Sequence, residues 1–352
     1  MAVIDADTHV IECEQTWAYF DKADEALRPQ IVKSDVPVTH KRESPMAGHA
    51  FWLADGRMYM KGGQTSSRYP DGTRDLANPD ARIKHMDELG IDTQILIPSF
   101  FLGSIIEHAD AELAMAKSYN RWMADVCHSR TDRLRWLVVP SLKNIEATCD
   151  MMEEGRKAGA CGLMLRGYEG NGTIDDPRYD PLYAKAADLD MAIALHIGNG
   201  SPSFDEVKNT SGKKGNIVAF IMPMVIAFNA LMMSDIPQRY PSLRFGFLEG
   251  GSMWLPFVLN KADRFAETYD LKRNTESALA DSRMFVTCEA HEDLPTILKW
   301  AGEGNLVIGT DYGHADTSTE LEAHRLILER TDLPAGAAQK MANDNARALY
   351  GL

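Results

Sequence analysis

Short, nearly continuous apolar runs punctuate the chain from residue 93 onward, and apolar positions recur at helical spacing in the longer stretches between them. The runs predict strands at Thr93–Pro98, Leu134–Pro140, Cys161–Arg166, Met191–His196, Leu243–Leu248, Met284–Cys288 and Leu306–Thr310. The stretches between predict helices at Ala81–Leu89, where Gly90 stops the pattern, and at Ala111–Ser129, Ile145–Lys157, Pro181–Leu189, Met253–Thr268 and Leu294–Trp300. Two more close the chain near 318–330 and 336–350. Val3 and Ile4, leading into Asp5-Ala6-Asp7-Thr8-His9, add an opening strand. Strands alternating with helices imply parallel pairing, and eight such units predict a closed (β/α)8 barrel of the TIM type. A doubly wound open sheet is the rival, but the glycines at 159, 162, 198 and 200 fit neither GxGxxG nor a Walker A loop.

The alternation begins only after residue 79, so residues 12–79 are expected to be an insertion that forms a small lid. Within it, Phe51 to Tyr59 reads as a hairpin turned by Asp55-Gly56, and Lys61 to Pro79 reads as loop. A second loop is expected at 197–216. No linker or repeat divides the chain, which predicts one domain over 1–352. Ile217 to Met233 is apolar except for Pro223 and Asn229. It is short for a membrane span and reads as a buried or subunit-interface helix.

A formal charge of −14 argues against nucleic-acid partners, which need concentrated Lys and Arg. The five cysteines (13, 127, 149, 161, 288) form no CxxC pair, and the N-terminus lacks a secretory pattern. The expectation is a cytoplasmic protein with reduced thiols, no membrane segment and a homo-oligomeric state.

In a barrel of this kind the active site lies at the C-terminal ends of the strands. There the sequence places Asp7 and His9, His196, Glu249 ahead of Gly250-Gly251, and Asp311-Tyr312-Gly313-His314. Each alone has an ordinary explanation: a hydrogen-bonded structural histidine, a turn, or a helix cap. Carboxylates and imidazoles recurring at four strand ends instead point to a divalent-metal site with mixed oxygen and nitrogen ligands. His40, His49, His85, His108, His128 and His324 lack ligand spacing. His291, after the seventh strand, is a candidate for the pocket. Arg166 is the candidate clamp for a substrate carboxylate, with Arg82 and Lys84 as a second basic pair. No G-x-S-x-G, HExxH or calcium loop occurs.

Ile4-Asp5-Ala6-Asp7-Thr8-His9 resembles the I-D-x-H-x-H opening of the metal-dependent amidohydrolase superfamily, with Asp7 in place of the first His. The His196 strand end, Phe247-Leu248-Glu249-Gly250-Gly251, Gly309-Thr310-Asp311-Tyr312-Gly313-His314 and the closing Asn345 to Leu352 resemble the branch that includes aminocarboxymuconate-semialdehyde decarboxylase. The resemblance implies ligands at Asp7, His9, His196 and Asp311. The strand-6 position often holds an acid–base His, and here it is Glu249. A carboxylate there can act as a general base or, with His314, reach a second metal.

The leading expectation is a hydrolase using a metal-activated water on a small, carboxylate-bearing substrate. The metal, zinc first with manganese or iron as alternatives and one or two ions, lowers the pKa of bound water to about 7. Asp311, Glu249 and His314 carry the protons. Three alternatives stand beside it: a non-oxidative decarboxylase of an aromatic or unsaturated acid, a di-metal oxygen-activating enzyme, and a non-catalytic subunit docking a homologous partner.

Overall fold

The computed structural model describes residues 2–34, 49–61, 67–211, 217–268, 277–315 and 318–352. Eight of its strands form one parallel sheet: β1 (Ile4–Val10), β2 (Thr93–Pro98), β3 (Leu134–Val138), β4 (Ala160–Leu165), β5 (Ala192–His196), β6 (Phe245–Leu248), β7 (Met284–Cys288) and β8 (Leu306–Ile308), hydrogen-bonded in that order. Every residue of β1 and of β4 to β8 is buried. Side chains inside the barrel cover one face and helices cover the other, which is why these strands read as apolar runs rather than alternations. The sheet closes just past β8, where Asp311 N–H donates to Asp7 O at 3.0 Å and His9 N–H to Tyr312 O at 2.6 Å. The molecule is therefore the expected (β/α)8 barrel.

Strand β1 is irregular. Its pairing with β2 shifts register between Asp5 and Thr8. The bulge takes the Ala6 carbonyl to the Tyr350 hydroxyl, 2.9 Å away. Bulges beside active sites re-aim the side chains that follow them, and here Asp7 and His9 follow.

Between β1 and the helix Pro79–Leu89 lies the insertion. Strands His49–Ala54 and Arg57–Met60 form the expected hairpin, with Asp55 and Gly56 at φ 50° and 72° as a primed turn requires. A third strand, Gln30–Ser34, pairs with it and was not foreseen. Trp17 joins this sheet to the barrel: its ring meets Trp52 edge-on at 5.8 Å and Phe100, just past β2, at 5.7 Å.

Two expectations need correction. The stretch at 197–216 is not all loop, because Pro202–Ser211 is helical. Ser201 Oγ accepts the Ser203 N–H at 3.2 Å, and Pro202 occupies the first turn, where its missing N–H costs nothing. The helix expected near 318–330 is confined to Ala323–Leu328. The apolar stretch opens with a π turn at Ile217–Ile221 and continues as a helix over Met222–Met233, burying Met224, Phe228, Leu231 and Met232. No described helix is long and apolar enough to cross a membrane. His40, residues 62–66 of the loop expected at 61–79 and residues 212–216 of that at 197–216 lie outside the described residues.

Candidate metal centre

Four strand ends deliver six side chains to one point at the C-terminal mouth of the barrel. Asp7 and His9 come from β1, His196 from the last position of β5, Glu249 from just past β6, and Asp311 and His314 from just past β8. His9 Nε2 lies 3.5 Å from Asp7 Oδ1, 3.6 Å from Glu249 Oε2 and 3.3 Å from Asp311 Oδ1. His196 Nε2 lies 3.3 Å from Asp7 Oδ1 and 3.0 Å from Glu249 Oε2. His314 Nδ1 is 2.8 Å from Asp311 Oδ1. Two overlapping donor sets result, Asp7–His9–His196 and His9–Glu249–Asp311–His314, each with its ligand atoms within 4.8 Å of one another.

These atoms are buried, and they lack hydrogen bonds of good geometry. Asp7 Oδ1, His9 Nε2, His196 Nε2, Glu249 Oε2, Asp311 Oδ1 and His314 Nδ1 are all unsatisfied. A lone buried polar atom costs about 1–3 kcal/mol, so six converging ones need a compensating partner. The donor chemistry fits a divalent cation.

The outward atoms of the same side chains are engaged. His196 Nδ1 meets Ile197 O at 2.7 Å, an arrangement that turns Nε2 toward the cluster. Ser318 Oγ lies 3.1 Å from Glu249 Oε1 and 3.3 Å from Asp311 Oδ2, and Thr319 Oγ1 donates to Asp311 Oδ2 at 2.6 Å. Each of these two carboxylates thus has one oxygen tied to a hydroxyl and one bare. Gly313, at φ 109°, lets the chain pass close: a Cβ there would lie 2.8 Å from His9 O. The His314 ring can then stack on His9, with centroids 3.8 Å apart.

Opposite charges face one another inside the cluster. Burial opposes ionisation throughout, yet His196 is held well above the ordinary imidazole range by Asp7 and Glu249, and His9 is raised to about 9 by Asp7, Glu249 and Asp311. Against the same burial, His196 and then His9 hold Asp7 below the usual carboxylate range and Glu249 well below it. Asp311 is pushed up to about 6, by burial first and by the Glu249 charge second. Asp5 sits one layer deeper, accepting from Thr310 N–H (2.8 Å) and Thr310 Oγ1 (2.5 Å), and burial raises it to about 7.

The two residues expected to bind substrate are engaged by partners outside this cluster. The Arg166 guanidinium is engaged by Glu169 Oε2 at 2.8 Å and by the carbonyls of Phe101 and Ser104 at 3.1 and 2.5 Å. It braces the loops after β2 and β4, and a substrate carboxylate would have to displace Glu169. His291 is 77% exposed and pairs with Glu289. Its loop is tied to the segment after β6 by the Glu292 carboxylate, which accepts the N–H groups of Ser252, Met253 and Glu289. Arg82 is buried as a brace for His9, donating to its carbonyl at 2.8 Å, while Lys84 is exposed.

A family model described as amidohydrolase matches residues 4–352, and the chain belongs to that family of enzymes, in its aminocarboxymuconate-semialdehyde decarboxylase-like branch. A gamma-resorcylate decarboxylase of Rhodococcus jostii (strain RHA1) is 25% identical over 286 residues, covering 72% of this chain and 85% of the relative. An amidohydrolase of Mycobacterium avium subsp. paratuberculosis K-10 shares the fold at a TM-score of 0.80 and 18% identity, with 100% of this chain and 98% of that one covered. The 5-carboxyvanillate decarboxylase of Novosphingobium aromaticivorans DSM 12444, solved with manganese and 4-hydroxy-3-methoxy-5-nitrobenzoic acid, shares it at 0.72 and 17%, covering 100% and 96%.

Proposed function

We propose that the chain is a divalent-metal-dependent decarboxylase that removes carbon dioxide from a small aromatic acid without an oxidant. The observation that carries the reading is the set of six bare, buried donor atoms at the barrel mouth of a chain whose relative is a gamma-resorcylate decarboxylase. That relative favours decarboxylation over the hydrolysis placed first on sequence grounds.

Asp7, His9, His196 and Asp311 would hold the ion, with Glu249 and His314 in reach. Bound there, a divalent cation supplies Lewis-acid polarisation of a substrate oxygen. Manganese in the Novosphingobium structure makes it a candidate beside zinc. Asp311, with Oδ2 tied to Thr319 and Oδ1 bare, holds the proton for the ring carbon. As the carbon–carbon bond breaks, its electron pair stays on the ring carbon and takes that proton, carbon dioxide leaves, and Asp311 is reprotonated from solvent. Burial of the cluster keeps competing water away from these groups.

Incubation with hydroxylated benzoates under argon tests the reading. Carbon dioxide and the corresponding arene should appear in equal amounts, and Asp311→Asn should lower kcat by about 100-fold or more. A requirement for dioxygen, or oxygen-18 from water in the arene, would overturn it. The division of the donors into two sets sharing His9 favours one rival, a two-ion centre. Elemental analysis distinguishes them by one metal atom per chain or two.

A further inference from the structure

This inference rests on the reading that His314 turns Nδ1 toward the metal cluster. Stacking on His9 at an interplanar angle of 17° fixes the plane of the His314 ring. It does not fix which edge faces inward, because a half-turn about the ring's own bond leaves the stack almost unchanged. That half-turn would bring a C–H to Asp311 in place of Nδ1.

One contact on the outer edge discriminates. His314 Nε2 lies 2.9 Å from Ser99 Oγ, the first residue past β2. Ser99 is itself held from β1: Glu12, 2% exposed, accepts Ser99 N–H at 3.1 Å through Oε1 and Phe100 N–H at 2.8 Å through Oε2. The ends of β1, β2 and β8 are thereby tied in one chain, Glu12 to Ser99 to His314.

We propose that Ser99 is a positioning residue that selects the inward edge of His314, with Glu12 as its anchor. A hydroxyl suits the task better than a carboxylate or an amide. It can accept from Nε2–H or donate to a bare Nε2, so the contact survives whichever ring nitrogen holds the proton. His314 can therefore face Asp311 Oδ1 in the metal-free protein and a cation in the loaded one without turning.

Equilibrium Co2+ binding to the metal-free full chain, followed by its visible absorption spectrum, tests the role. Ser99→Ala should weaken Co2+ binding about 10- to 100-fold and alter the spectrum, and Ser99→Thr, which keeps the hydroxyl, should restore both. The metal-free unfolding midpoint should be nearly the same in both variants. If Ser99→Ala fails to fold, Glu12→Gln should show the same loss of Co2+ affinity in smaller measure. Wild-type affinity and spectrum in Ser99→Ala, or in Glu12→Gln where that is the variant that folds, overturn the proposal if His314→Ala loses Co2+. Wild-type binding by His314→Ala overturns the reading of His314 on which it rests.

Discussion

Glu249 and Asp311 sit at φ 63° and 52°, where a side chain is strained by about 1–3 kcal/mol. Both are candidate ligands, and the strain aims the bare Oε2 of Glu249 at His9 and His196 and the bare Oδ1 of Asp311 at His9 and His314. The His9 and His196 imidazoles keep their protons at neutral pH because carboxylates surround them. A divalent cation would replace two protons without changing the local charge. Uptake of Mn2+ at pH 7 should therefore release about two protons per ion, since ligand nitrogens must be bare to bind. Calorimetry in buffers of different ionisation enthalpy measures the number, and a value near zero would contradict this charge assignment. Asp7, His9, His196, Glu249, Asp311 and His314 were legible because strand ends of a barrel share one mouth. Ser99, Ser318 and Thr319 were not, because hydroxyl residues in loops carry no periodic signal. The partner of Arg166 was not legible for a different reason. Strand position locates the Arg166 backbone, whereas Glu169, three residues on, decides where the guanidinium goes.

At the level of elements, the bulge in β1 is what brings Asp7 and His9 into the site. Its cost is a displaced carbonyl at Ala6, and the Tyr350 hydroxyl on the closing helix satisfies it. Tyr350→Phe should lower unfolding free energy by about 1–2 kcal/mol, because a buried acceptor is left bare. Denaturant titration of the metal-free protein checks this, and an unchanged midpoint would show that the bulge needs no such support. The bulge was invisible in sequence, since Asp5-Ala6-Asp7-Thr8-His9 reads equally well as a regular strand. The barrel strands themselves were plain, because burial on both faces selects apolar runs. The Pro202–Ser211 helix has only Ser201-Pro202, an ordinary helix start, as its signal in the sequence.

For the whole molecule, the cluster couples stability to metal and pH. His9 holds its proton to about 9 in the fold against an ordinary 6.5, so its stabilising effect is complete below pH 6.5 and lost as pH rises through about 9. The Tm of metal-free protein should fall across that window. Saturating Mn2+ should raise Tm and flatten the slope, with a gain of about 2.7 kcal/mol at a hundredfold excess over Kd. Thermal scans from pH 6 to 9.5, with chelator and with Mn2+, measure both.

Barrel closure also has a consequence in time. Asp5 and Thr310, which join β1 to β8 beneath the site, are 305 residues apart. During synthesis β1 emerges first and waits, one edge unpaired, while the other strands are made. The complete donor set cannot form until β8 docks, so metal capture would report that the last barrel strand has been translated and placed.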